Sequence, residues 1–247
     1  MIKKVEIVKF TEGLGENKLE DEVVEEKYVR IFINGKEVVV LSCLFENIDY
    51  LIYGFLFTQG IVKDLKEIEN IDISGCICNV RLKKNDFLGP FWFISSECGS
   101  RHITLNIMDK VNFDNFFKSD AIFYLLKVFN RISQLYKKTG CVHVCGIAKD
   151  REIIIFKEDI SRHNAFDKVI GEAILKNISL NDKILLTSGR ITSEIIFKLV
   201  KMKIPVILSK GAPTDYAIRI GEEFGITIIG FARGKRFNIY THKERIK

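Results

Sequence analysis

From residue 142 onward the chain alternates between short apolar runs and segments with helical periodicity. The runs KILLTS, PVILS and TIIGFA predict buried strands. The segments HNAFDKVIGEAILKN, SEIIFKLVKM and TDYAIRIGEEFG, which precede or separate them, predict amphipathic helices. Ahead of this region, VHVCGIA and EIIIF predict a hairpin. Repeated strand–helix alternation is typical of an α/β layer whose strands are largely parallel.

The first half of the chain has a different rhythm, with strands around one helix. In VRIFINGKEVVVL, the Asn34-Gly35 pair predicts a type I′ hairpin. FENIDYLIYGFLFTQG predicts a helix, and AIFYLLKVFNRISQLYKK predicts another that ends at Thr139-Gly140. Because VNFDNFFKSD interrupts the pattern, we expect two domains. Residues 1–115 form a smaller strand-rich α+β domain carrying the Cys98 loop, and residues 116–247 form the α/β domain.

Composition narrows the class of protein. The chain is 47% hydrophobic and 28% charged, as in ordinary globular proteins. No apolar run approaches the roughly 18 residues that span a bilayer, and the N-terminus lacks the apolar core of a signal peptide. We therefore expect a cytoplasmic protein with no membrane partner and with its six cysteines reduced. The net charge of +6 suits an anionic ligand but is too scattered to indicate nucleic acid.

Three loops combine glycine with a cation, and each follows a predicted strand. In α/β sheets, ligands bind where strands end, and glycine lets backbone N–H groups approach phosphate. Such turns also occur as plain helix caps, but three at one edge favour a phosphate site. The candidate residues are Ser188, Gly189 and Arg190 in the first loop, Lys210 in the second, and Phe231, Ala232, Arg233, Gly234, Lys235 and Arg236 in the third.

Cys98 is unusual among the cysteines because it follows small polar residues in FISSECGSR. Arg101 and His102 would lower the pKa of its thiol if the loop folds them toward it. An accessible, ionisable thiol favours a nucleophile or a sulfur carrier. The alternative is an incidental loop cysteine.

The remaining polar clusters are open to two interpretations. Cys141, His143 and Cys145 share one face of a strand, but no fourth ligand and no C-x-x-C pair is evident, so we expect no metal site. Cys76 and Cys78 in a strand point to opposite faces, and burial is the simpler interpretation for both. The cluster Arg162, His163 and Asn164 either caps a helix with solvated charges or forms a recognition site.

Several blocks together resemble the formate dehydrogenase accessory sulfurtransferase family, FdhD/NarQ. They are EDISRHNAFDKVIGEAI, LLTSGRITSEI, KMKIPVILSKGAPTDYAI and IIGFARGKRFNIYTH, preceded by LIYGFLFTQGIV and TGCVHVCGIA. The resemblance covers residues 29 to 242. It implies a cytidine-deaminase-like three-layer C-terminal domain without the deaminase zinc site, and a homodimer.

The resemblance also implies a function. Members accept persulfide sulfur from a cysteine desulfurase and pass it to the molybdenum of the bis(molybdopterin guanine dinucleotide) cofactor, which serves formate dehydrogenase. It implies that Cys98 carries the sulfur, that residues 231–236 bind the cofactor or GDP, and that Arg162, His163 and Asn164 belong to the site. Arg101 stands where the family often has a second cysteine. A cofactor chaperone without sulfur transfer is therefore the alternative. An RNA-binding module is disfavoured because the basic C-terminus lacks an RNA motif.

Overall fold

The structure, a computed structural model, describes residues 2–83 and 108–247. These residues form twelve strands and six α-helices. The N-terminal part contains β1 (Ile2–Thr11), β2 (Gly15–Val24), β3 (Glu26–Ile33), β4 (Lys36–Leu44), α1 (Ile48–Thr58), β5 (Ile68–Ser74) and β6 (Ile77–Leu82). The C-terminal part contains α2 (Ser119–Ile132), α3 (Gln134–Thr139), β7 (His143–Lys149), β8 (Glu152–Asp159), α4 (Arg162–Leu175), β9 (Ile184–Thr187), α5 (Ser193–Lys201), β10 (Val206–Ser209), α6 (Asp215–Phe224), β11 (Thr227–Arg233) and β12 (Arg236–Ile239).

The C-terminal part is built on a six-stranded sheet of order β12-β11-β10-β9-β7-β8. Strands β9, β10 and β11 are parallel, whereas β7, β8 and β12 run antiparallel to their neighbours, so the sheet is mixed. Helices α4, α5 and α6 cover one face, and α2 covers the other. The central strands are buried on both faces, which is why they appear in the sequence as continuous apolar runs. The predicted α/β class is confirmed, while the likeness to cytidine deaminases stays a prediction.

The N-terminal part contributes a four-stranded sheet of order β4-β3-β6-β5, and α1 packs on it. Asn34 and Gly35 both have positive φ, at 49° and 81°, which confirms the predicted type I′ turn between β3 and β4. The other face of α1 packs against α4 and so joins the two sheets. Strands β1 and β2 form a separate two-stranded ribbon. The predicted division at residue 115 stays a prediction.

One predicted helix is broken in two. The segment read as a single helix from residue 121 to 138 separates into α2 and α3 at Ser133, whose ψ of 111° is extended. The hydroxyl of Ser133 accepts a hydrogen bond from Tyr136 N and donates one to the Glu158 carboxylate. The side chain therefore caps α3 and ties the break to β8, a tertiary contact that periodicity does not reveal.

Candidate functional site

Most of the predicted site residues lie at one edge of the six-stranded sheet, the edge formed by the carboxyl ends of β9, β10 and β11. Because β9, β10 and β11 are parallel, the loops at 187–192, 209–214 and 231–236 leave the sheet at the same edge. Strand β7 is antiparallel to β9, so its first residue, His143, lies at this edge as well. The prediction that the three glycine-bearing loops share an edge is confirmed. His143 was considered only as a metal ligand, and the strand direction that brings it here is a tertiary property.

The three loops are held together by close backbone contacts. Ser209 Oγ donates a hydrogen bond to the Gly189 carbonyl at 2.5 Å and accepts one from Gly211 N at 2.9 Å. The Gly211 carbonyl in turn accepts from Phe231 N at 3.0 Å. A Cβ on Gly211 would lie 2.5 Å from the Gly189 carbonyl oxygen. The second loop therefore fits between the first and the third only because residue 211 has no side chain.

Gly211→Ala is expected to push the first and second loops apart. The obstacle is backbone, which cannot rotate away as a side-chain tip can, so we expect a stability loss of about 1–3 kcal/mol and at least tenfold weaker binding of anionic ligands. Chemical denaturation and calorimetric titration with GDP measure the two effects. Gly75→Ala serves as a control, with an expected GDP affinity equal to that of wild type: its φ of 56° carries strain, but a Cβ there meets nothing within 4 Å and the residue lines neither cavity. Equal GDP affinity in wild type and Gly211→Ala would contradict the expectation.

Two adjoining cavities open at this edge, each of about 420 Å³. They share the side chains of Asn130, Tyr136, Ser188 and Lys210. The first cavity lies toward the third loop and is completed by Gly211, Ala232, Arg233 and Gly234. The second lies between the α2–α3 break and the start of β7, where Phe129, Ser133, Cys141 and His143 line it. Lys210 and Ser188 therefore stand where one cavity meets the other.

Lys210 is the cation common to both cavities. It is partly buried, and burial lowers the pKa of its ammonium group. Its Nζ lies 5.9 Å from the centroid of the Tyr136 ring. Among the described residues that line either cavity there is no carboxylate. A desolvated ammonium facing a cavity of this composition is suited to an anionic ligand such as a phosphate.

His143 is fixed by the first loop. Its Nδ1 lies 3.2 Å from Ser188 Oγ, and the same hydroxyl accepts a hydrogen bond from Val144 N at 2.9 Å. Burial lowers the pKa of His143, and the nearby guanidinium groups of Arg162 and Arg190 lower it further. The imidazole is therefore held neutral and in one orientation at the wall of the second cavity.

The third predicted loop is the tip of the β11–β12 hairpin: residues 231–233 end β11, Gly234 and Lys235 form the turn, and Arg236 begins β12. Phe231 has a φ of 51° and is 41% exposed, while the next residue, Ala232, is fully buried. The pairing between β11 and β12 shifts register here, which is the mark of a bulge. The Arg233 guanidinium lies 5.8 Å from the Phe231 ring centroid and lines the first cavity. Lys235 and Arg236 are exposed and line neither cavity.

The predicted cluster at the start of α4 divides between two roles. Arg162 lies against the first loop: a Cβ on Gly189 would be 3.0 Å from Arg162 Cβ. His163 Nε2 lies 3.4 Å from a Glu194 carboxylate oxygen. Asn164 is only 4% exposed, and its amide donates to Ser42 O and to Asp159 Oδ1. Contact of any of the three with a ligand stays a prediction.

The charged residues around Asn164 are buried and join the two sheets. Lys168 Nζ lies 2.7 Å from Asp159 Oδ2 and donates to the Leu44 carbonyl at 2.8 Å. Leu44 N donates back to the same Asp159 carboxylate at 3.1 Å. These contacts tie the end of β4 to the end of β8 and to α4. From the sequence, this motif was interpreted as solvated charge or as a recognition site. The sequence did not reveal that Asp159 and Lys168 connect the four-stranded sheet to the six-stranded sheet.

Asp167, which immediately precedes Lys168 on α4, makes a similar buried ion pair with different partners. Asp167 accepts hydrogen bonds from Lys198 on α5, at 2.6 and 2.8 Å, and from the Thr58 hydroxyl at the end of α1, at 2.7 Å. Both charged side chains are buried. Asp167 therefore orients α1, α4 and α5 relative to one another, whereas Lys168 contacts the ends of β4 and β8.

The cysteines differ sharply in exposure. Cys98, with Arg101 and His102, lies outside the described residues. Cys43 and Cys78 are buried, and burial raises the pKa of each thiol to about 12. Burial also raises the pKa of Cys145. Cys76 and Cys141 are exposed, so the expectation that Cys76 is buried is wrong: it lies in the turn before β6. Within residues 2–83 and 108–247, no three His, Cys, Asp or Glu side chains are grouped to hold a metal.

Comparison with known proteins identifies the family. The sequence model of the FdhD/NarQ family matches residues 24–247. The chain belongs to the FdhD/NarQ family. The resemblance inferred from the motifs is thereby confirmed, and the matched region contains every candidate site residue. Only the first 23 residues, most of the β1–β2 ribbon, lie outside it.

Individual FdhD relatives align along nearly the whole chain. A Bacillus pumilus protein named sulfur carrier protein FdhD is 36% identical over 243 residues, covering 92% of this chain and 90% of that protein. The protein of the same name from Bacillus subtilis is 34% identical over 248 residues, covering 94% and 92%. A crystal structure from Desulfotalea psychrophila, assigned as a formate dehydrogenase accessory protein, superposes with a TM-score of 0.79 at 23% identity, covering 100% of this chain and 99% of that one. The last match supports the fold.

In the part of the chain that the structure describes, no helix of this FdhD/NarQ protein is long and apolar enough to cross a bilayer.

Proposed function

We propose that this FdhD/NarQ protein is a sulfur carrier that serves formate dehydrogenase. The observation that carries the proposal is its similarity, over 92% of its length, to a protein named sulfur carrier protein FdhD. Its substrates are the persulfide of a cysteine desulfurase and the molybdenum bis(molybdopterin guanine dinucleotide) cofactor. It works as a cytoplasmic sulfurtransferase and as a homodimer.

The sulfur step requires one thiol, which we assign to Cys98. Its thiolate attacks the outer sulfur of the desulfurase persulfide, the S–S bond of the donor breaks, and the donor leaves as a thiolate. Cys98 then holds the sulfur as a persulfide. Delivery of that sulfur to the molybdenum as sulfide would break the Cys98 S–S bond, return Cys98 as a thiolate and take two electrons, which a dithiol reductant would supply by becoming a disulfide. Sulfur transfer of this kind needs no second cysteine, so Arg101, at the position where the family often has one, is compatible with carriage.

The cofactor is the second substrate, and the cavities at the sheet edge suit its chemistry. The dinucleotide carries a pterin at one end and guanine at the other, joined by an anionic pyrophosphate. Lys210 and Arg233 supply positive charge, and the glycines of the loops expose backbone N–H groups. Arg190, Lys235 and Arg236, which are exposed at the same edge, attract the anion without lining the cavities. We assign residues 188–190, 210 and 231–236 to cofactor binding.

A cofactor chaperone without sulfur chemistry is the second candidate function, and Arg101 favours it, since the family often has a cysteine there. Incubation with a desulfurase and radiolabelled cysteine distinguishes the two. We expect the wild-type protein to take up label that a reductant releases, and Cys98→Ala to take up less than about a tenth of it, since only a reactive thiolate accepts the sulfur.

Exposed Cys76 and Cys141 provide matched controls. Cys76→Ala and Cys141→Ala are expected to keep the wild-type level of label. Label that persists in Cys98→Ala and disappears in Cys141→Ala would assign the carrier thiol to the cavity wall instead. Absence of label from the wild-type protein would favour the chaperone.

A further inference from the structure

The two cavities at the sheet edge differ in the chemistry of their walls. The first, toward the third loop, is lined by glycine backbone and by the cations Lys210 and Arg233. The second is the more enclosed of the two; Phe129 and His143 line only this one, and Tyr136 lines both cavities. Backbone N–H groups and cations recognise phosphate, whereas aromatic rings with a few fixed polar groups recognise a flat heterocycle.

The shared wall decides how a single ligand would occupy both cavities. Lys210 and Ser188 line each of them, so a charged group placed there lies next to the ring-lined cavity and to the glycine-lined one. A ligand with a phosphate attached to a planar base fits this division, with the phosphate at Lys210 and the base beside it. The reverse placement would put phosphate charge against Phe129, which is 4% exposed.

His143 is the polar group best placed to read the edge of the base. Its Nδ1 is engaged with Ser188 Oγ at 3.2 Å, so the ring is oriented before a ligand arrives. Ser188 Oγ already accepts a hydrogen bond from Val144 N, which leaves its own hydrogen available for Nδ1. With that hydrogen bond in place, the ring proton of His143 lies on Nε2 and is available to an acceptor on the base.

We propose that the second cavity is the heterocycle subsite of the cofactor site, and that His143 is its specificity-determining residue, while Lys210 and Arg233 hold the phosphates. The assignment rests on the proposed function, because it takes a guanine nucleotide as the ligand. It distinguishes two roles within the site: His143 recognises the base, whereas Lys210 and Arg233 bind the phosphates.

Calorimetric titration with GDP and with pyrophosphate separates the two roles. His143→Ala is expected to weaken GDP binding roughly tenfold, the value of one pre-oriented hydrogen bond with its ring contact. It is expected to leave pyrophosphate binding within about twofold, because His143 touches no phosphate. Lys210→Met is expected to weaken the binding of both GDP and pyrophosphate, because it removes the cation that the two cavities share. His242→Ala, whose ring contacts the Glu222 carbonyl away from the cavities, is the control and should bind both ligands as wild type does.

Pyrophosphate binding also reports whether the His143 variants are folded. His143→Gln provides a second variant that keeps a hydrogen-bonding side chain, and its GDP affinity is expected to fall between those of wild type and His143→Ala. Equal loss of GDP and pyrophosphate in His143→Ala, or no loss of either, would overturn the assignment while leaving the sulfur-carrier function untouched. Failure of the wild-type protein to bind GDP would overturn the assignment together with the cofactor part of the proposed function. Failure of sulfur labelling, with the GDP and pyrophosphate titrations as expected, would overturn only the sulfur step.

Discussion

Replacing Lys168 with methionine is expected to lower the free energy of unfolding by about 3–5 kcal/mol, because it leaves a buried carboxylate without its counter-ion. Asp159 and Lys168 are 0% and 1% exposed, and Lys168 also donates to the Leu44 carbonyl. Methionine fills the space of the lysine side chain but carries no charge to neutralise the Asp159 carboxylate. Chemical denaturation at pH 7 measures the loss.

The pH dependence of this loss tests its cause. Burial already raises the pKa of Asp159, and Lys168 opposes that shift. Without Lys168 the pKa rises further above its unfolded value, so the folded variant binds a proton that the unfolded chain releases. Stability is then recovered as the pH falls, and the gap to wild type is expected to narrow between pH 7 and pH 5. A gap independent of pH would point to lost packing instead.

Lys176→Met is the control for this substitution. Lys176 directly follows α4, pairs with Glu172 and keeps 56% of its side chain exposed. Glu172 is buried but keeps Lys157 as a second counter-ion, and the exposed Lys176 contributes little, so we expect a change within about 0.5 kcal/mol. Equal losses in the two variants would contradict the distinction between the buried and the exposed lysine.

Gly171→Ala is expected to destabilise the protein by about 3 kcal/mol or more, at the upper end of what overpacking costs. A Cβ on Gly171 would lie 1.9 Å from the Tyr50 carbonyl oxygen of α1. On the opposing helix, a Cβ on Gly54 would lie 1.7 Å from the Asp167 carbonyl oxygen. The two helices touch through their backbones, so no side-chain rotation relieves the clash. In an isolated helix the same change would be favourable by about 1 kcal/mol, so the sign of the effect is informative.

Gly221→Ala on α6 gives the comparison. A Cβ there would meet Ile228 Cδ1 at 2.6 Å, the far end of a flexible side chain that is able to shift. We expect a change within about 1 kcal/mol, because helix propensity offsets the repacking. Thermal unfolding of both variants measures the difference. A stable Gly171→Ala protein would mean that α1 and α4 can separate without cost, and that the two sheets are joined less rigidly than their contacts indicate.

Much of the fold follows from local sequence. The runs around residues 184–187, 206–209 and 227–233 are apolar enough to be strands buried on both faces, and the helices between them show their periodicity. Asn34-Gly35 determines a turn by its backbone preference alone. These features were predictable because each depends on neighbouring residues and on a period of two or 3.6.

The site was only partly predictable, for a reason visible in particular residues. Loops that follow parallel strands must share an edge, so the grouping of Ser188, Lys210 and residues 231–236 was available from the strand order. His143 joins them because β7 runs antiparallel to β9. The direction of a strand within its sheet cannot be predicted from a short apolar run. Asn130 and Tyr136 reach the cavities because α2 breaks at Ser133, where a hydroxyl bonds to a distant strand.

The sequence by itself determined the family, the α/β class, the hairpin at Asn34-Gly35 and the loops that carry glycine and positive charge. Tertiary structure alone decided that Asp159, Asp167 and Lys168 are buried connections between layers and that His143 faces a cavity. The physical reason is that charge and polarity in a motif specify which interactions a residue is capable of making. Burial, which depends on segments more than 100 residues apart, such as Leu44 and Asp159, selects the partner.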